Sequence, residues 1–174
     1  PPKAPELNIK PPEVTQRPLA EHLELPNNAE EVVNEAAHAI HDEFSIAAAM
    51  PSLAGMLDVG LVASEPILRR SINANLRLGR PQNAQRLVKF AIREAAPEAM
   101  RVEAIRSLAV WGTPPKLDRV EGRYRDLMNR PVKPIHDIFD QHIGDLLSSK
   151  SDEIRVATAE AISKLNYGNA AVRL

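Results

Sequence analysis

Two short stretches carry side chains that could do chemistry. HAIHD puts His38, His41 and Asp42 on neighbouring positions of a helix, and HDIFDQH puts His136 and Asp140 one turn apart on one face. Imidazole and carboxylate at such spacing could serve zinc binding or proton transfer. A zinc site wants three or four converging ligands, and a single helix supplies two at a time. His38 and His136 stand about a hundred residues apart, in segments not expected to touch. The histidines are therefore expected to be solvated or hydrogen-bonded, with no metal and no cofactor. Other chemistries lack their parts. There is no cysteine, the seven glycines form neither GxGxxG nor GxxxxGK, and no serine is set with His and Asp. The chain is expected not to be an enzyme.

A second cluster offers charge rather than catalysis. Arg69, Arg70, Arg77, Arg80, Arg86, Lys89 and Arg93 fall on two consecutive helical stretches and their turn. The net charge of −1 conceals this bias: residues 1–63 hold 3 Lys/Arg against 10 Asp/Glu, and residues 64–106 hold 9 against 4. A basic face of this kind binds polyanions by counterion release, contacts an acidic protein surface, or is solvated helix surface. Single-strand readers add stacking aromatics, and here only Phe90 lies within the stretch, so nucleic acid is not the expected partner.

The elements that position these residues are expected to be helices. Hydrophobic residues make up 44% of the 174, aromatics only 3%. A core of Ala, Leu, Ile, Val and Met favours helices over strands. Residues 1–27 are Pro-rich, read as an extended linker or strap, and PPKAPELNIKPPEVTQRP has no apolar run of signal-peptide type. IAAAMPSLAGMLDVGLVA is interrupted by Pro51 and Asp58 and reads as a buried helix with its turn, so no membrane insertion is expected. Apolar spacing predicts helices over 28–42, 45–57, 64–78, 82–95, 97–111, 134–148 and 151–166. Asn28, Ser64 and Ser151 stand as N-caps, and Gly79 and Gly112 where helices end.

PEAMRVEAIRSLAVWG returns in altered form as SDEIRVATAEAISKLN. Aligned on the first apolar position, the anchors are Val32, Ile67, Met100 and Ile154, at steps of 35, 33 and 54 residues. An insertion at 113–133 accounts for the last step. Met100, Ala104, Leu108 and Trp111, and likewise Ile154, Thr158, Ile162 and Leu165, form one stripe each. A pair of such helices cannot bury its stripe alone, so neighbours must stack. At MRVEAIRSL, IRVATAEAI and AMPSLAGMLD, the last with Pro51 at the kink position, the chain resembles the HEAT-repeat family. That implies an all-α fold, an α-α superhelix of antiparallel helix pairs over 28–174, acting as a non-catalytic scaffold for protein partners. It also implies inter-repeat ladder roles for Arg101 and Arg155, while Leu68 and Asn75 depart from the pattern. INANLRLG, NAQRLVKFA and PEAMRVEAIRSLAVWGTPPKLDRVEGRYR further resemble the HEAT region of large bacterial envelope proteins. Those join a PQQ-type sugar-dehydrogenase-like propeller to a c-type haem domain. This implies an internal segment of a multidomain protein, a spacer in the periplasm or cell envelope; without it, a cytoplasmic setting is expected. The alternative function is anion or nucleic-acid binding through helices 64–106.

The insertion holds the remaining candidates. Leu117, Val120, Tyr124 and Leu127 recur at helical spacing between Pro114–Pro115 and Pro131–Pro134, which predicts a short helix packed over the end of the Met100–Trp111 helix. Trp111 is either core or, with Arg123 and Tyr124, part of a docking edge.

Overall fold

A computed structural model describes residues 29–43, 46–60 and 64–168. The Pro-rich segment 1–27 and Asn28 lie outside them. The described residues are all-helical: α1 (Ala29–His38) running into a π turn (Ala39–Glu43), α2 (Met50–Gly55) with a 3-10 turn (Met56–Asp58), α3 (Glu65–Leu78), α4 (Pro81–Ile92), α5 (Glu98–Ala109), α6 (Lys133–Leu147) and α7 (Asp152–Lys164).

Proline and glycine set these boundaries. α2, α3, α4 and α6 each carry Pro within the first two positions, where the missing N–H would be unpaired anyway. Pro51 therefore opens α2 and does not kink it. Ser151 Oγ accepts from Ile154 N at 3.2 Å and caps α7, whereas Ser64 caps α3 by its extended backbone without a side-chain bond. Gly79 ends α3 in the left-handed region at φ 66°. Gly112 does not do the same for α5, which ends at Ala109. Its role is clearance: a Cβ there would stand 2.6 Å from Val132 Cγ1, where the insertion returns across the helix end.

Helices pack in two rows. α1, α3, α5 and α7 touch in succession, and so do the 3-10 turn, α4 and α6; α2 with α3, α4 with α5 and α6 with α7 join the rows. Ile72, Leu87, Ile105, Leu108, Phe139, Ile143 and Ile154 at the centre are fully buried. Each such side chain contributes about 1.5–3 kcal/mol by leaving water. Anchors Ile67, Met100 and Ile154 are buried as expected, but Val32 is 56% exposed. α1 has α3 on one side, and among the described residues nothing covers Val32 on the other.

Polar bonds also cross between the rows. Arg101, itself buried, donates from Nε to the Ala91 carbonyl at 2.7 Å, joining α5 to α4. Asn75 does the corresponding work in α3: Nδ2 donates to Ala54 O of α2 at 2.9 Å, and Oδ1 accepts from Asn83 and Arg86 of α4. Arg155 instead binds Ser149 O, in the turn before its own helix.

The insertion is not helical. Asp118 Oδ1 accepts from the N–H groups of Val120 and Glu121, and Gly122 takes φ 72°. That turn outcompetes a helix, as short acidic side chains do when they capture nearby amides. Leu117 and Tyr124 pair across an antiparallel bridge, closed by Asp118 N to Arg123 O at 2.8 Å and Arg125 N to Lys116 O at 2.7 Å. Leu117 and Tyr124 face outward in consequence, Val120 and Leu127 are half-buried, and Asp118 and Glu121 turn in.

Candidate functional site

The turn at Asp118 carries its acids to the end of α1. His41 sits on the π turn, a distortion common near functional sites, and is fully buried. Of the two states expected for the histidines, solvated or hydrogen-bonded, His41 takes the second, aimed inward from the π turn. Its Nδ1 lies 2.5 Å from Asp42 Oδ1, and Asp42 Oδ2 accepts from Arg70 Nε and Nη2 at 3.0 and 2.5 Å. His38 Nε2 reaches the same oxygen at 3.2 Å. The insertion is stitched to this turn from above: Arg123 donates to Asp42 O at 2.9 Å, and Arg77 of α3 donates to His41 O at 3.1 Å.

Asp118 and Glu121 complete the node. Asp118 Oδ1 also accepts from Asn73 Nδ2 at 2.7 Å, and Glu121 Oε1 accepts from Arg125. One ligand atom from each of His41, Asp118 and Glu121 lies within 4.8 Å of the other two. His41 Nε2, Asp118 Oδ2 and Glu121 Oε2 are buried and make no hydrogen bond. An unmet buried polar atom costs about 1–3 kcal/mol, so three together are a substantial load. Burial lowers the His41 pKa below its ordinary value, against the opposing pull of the Asp42 hydrogen bond. Burial raises that of Asp42, but the hydrogen bonds from Arg70 and His41 outweigh it and hold the carboxyl below its usual value. Arg77 is lowered by burial and then by the charge of Arg125.

Sequence reasoning singled out HAIHD but not its partners. The available signal was the Asp118…Gly122 turn pattern, which directs polar side chains differently from a helix. His136 is hydrogen-bonded rather than solvated, with Nε2 2.9 Å from Leu165 O and its ring against Tyr167.

Of the seven basic candidates, four face carboxylates. Arg69 pairs with Glu65, Arg70 with Asp42, Arg77 with Asp118 at 3.9 Å, and Arg86 with Asp58 at 2.8 Å. Arg93 stands 5.7 Å over the Phe90 ring. Arg80 and Lys89 are exposed and make no ion pair among the described residues. Trp111 is 1% exposed, and the Arg130 guanidinium covers its ring at 4.2 Å. Its indole is thus core, docked by the chain's own insertion. Arg123 and Tyr124 are exposed, Tyr124 at 66%. No family model, curated protein or solved structure matches this chain.

Proposed function

We propose that the chain is a non-catalytic scaffold, a HEAT-like solenoid of stacked helix pairs whose insertion docks a protein partner. The observation that carries this reading is the insertion itself. Leu117, Tyr124 and Met128 are 60%, 66% and 83% exposed, yet the backbone beneath them is pinned. Arg119 holds Glu103 of α5 through two bonds of 2.8 Å, and Arg130 N binds Gly112 O at 3.0 Å. Exposed apolar side chains on an already ordered backbone bind at low entropic cost. The two rows of helices support the stacked architecture, and the Asn75 bonds to Asn83 and Arg86 link one helix pair to the next, whereas the Arg101 bond stays within the α4–α5 pair. On the narrower family resemblance the partner is a neighbouring domain of a larger envelope polypeptide. An anion-binding role has less support, because four of the seven cations already face carboxylates.

A photo-crosslinking phenylalanine in place of Tyr124, introduced in the source cells, tests the docking surface. The expected product is one discrete adduct, absent when the same group replaces the exposed Gln85 on α4. Equal labelling from both positions, or none from either, sinks the reading.

A further inference from the structure

We propose that His41, Asp118 and Glu121 bind one divalent transition-metal cation, which clamps the insertion to the end of α1. Three ligand atoms in the node are left over. His41 Nδ1 faces the Asp42 carboxylate at 2.5 Å, and since a carboxylate only accepts, that nitrogen carries the proton and Nε2 keeps its lone pair. Asp118 commits Oδ1 to Asn73, Val120 and Glu121, and Glu121 commits Oε1 to Arg125. The second atom of each side chain is buried without a hydrogen bond. These are three acceptors with no donor between them. A single water brings two hydrogens and leaves one acceptor bare, whereas a cation satisfies all three.

The ligand chemistry narrows the ion. One imidazole nitrogen with two carboxylate oxygens suits zinc or manganese better than calcium or magnesium, which take all-oxygen shells. The outer partners have the form that metal sites use: a carboxylate on the far imidazole nitrogen and a hydrogen bond on each ligating carboxylate. Arg77 Nη1 stands 3.9 Å from Asp118 Oδ2, and Arg123 Nε 3.5 Å from Glu121 Oε2. These two cations balance the carboxylates at ion-pair range and are what a bound ion must outweigh. The ligands lie on two segments, the turn after α1 and the insertion, so the ion joins parts far apart in the chain. The proposal stands apart from the docking reading and has its own test.

Metal-stripped full chain is titrated calorimetrically with Zn²⁺ alone and separately with Mn²⁺. One equivalent is expected, weakened at least about tenfold by Asp118→Asn or Glu121→Gln and unchanged by His136→Ala. Neutralising a buried carboxylate can unsettle the fold, so a second measurement uses the unsubstituted chain. Long-range ¹H–¹⁵N spectra should show zinc moving His41 Nε2 to the shift of a metal-bound nitrogen. No stoichiometric uptake, uptake that leaves the His41 ring signals in place, or full affinity in both carboxamide variants overturns the proposal.

Discussion

Arg130 closes two helix ends with one side chain. Its Nε donates to Trp111 O at 2.9 Å, its Nη2 to Leu76 O at 2.5 Å, and its Cζ stands 4.2 Å over the indole ring. Burial lowers its pKa to about 10, still far above neutral, so it remains a charged donor. Gly79 makes room for it: a Cβ at that position would stand 1.5 Å from Arg130 Nη1. Gly79→Ala therefore meets two penalties, about 1–2 kcal/mol for an L-residue in the left-handed region and the displacement of the guanidinium. Arg130→Ala alone should cost about 2–3 kcal/mol, as charged hydrogen bonds do. The double variant should cost at least about 1 kcal/mol less than the sum, because the second penalty is then void. Urea unfolding of the four proteins measures this, and simple additivity would contradict it.

At the scale of elements, the insertion shows how short-range chemistry overrules periodicity. Its 3, 4, 3 apolar spacing is helical, but the Asp118 side chain captures the amides a helix would need. The Lys116–Asp126 pair, 2.6 Å apart, ties the far side of the bracket. The Lys116 hydrogen bond, then its charge, holds the Asp126 carboxyl below its usual value. Its folded-state pKa being depressed, the link is present above the ordinary carboxylate range and lost as pH falls through the lower folded value. A ¹³C carboxyl titration of Asp126 should show that depressed midpoint, returning to the ordinary range in Lys116→Met; an ordinary midpoint in the parent chain rejects the idea. The helices were legible because apolar spacing, the Ser151 cap and Gly79 are local signals. The node was not, because His41 gives no sign of meeting Asp118 far along the chain until the turn is known. Asn75 looked like a break in the pattern for a related reason: its partners, Ala54 and Asn83, are on other helices.

Across the whole molecule, helices that are neighbours in sequence pair between the rows, the rows themselves join alternate helices, and the insertion reaches back. Arg123 meets Asp42 across 81 residues, Arg130 meets Leu76 across 54 and Asp118 meets Asn73 across 45. Helix pairs such as α4 with α5 close short loops, and long-range contacts form only after their closure cost is met. The expected order in time is that the helix pairs assemble first and the bracket latches onto them last and releases first. In native-state hydrogen exchange, the amides of Asp118, Gly122 and Arg125 should open with a smaller free energy than those of Ile105 and Leu108 in α5. Equal values would mean that bracket and rows unfold as one unit. Unequal values would make the bracket a clasp, able to let go of α1 and close again while the helices beneath it never come apart.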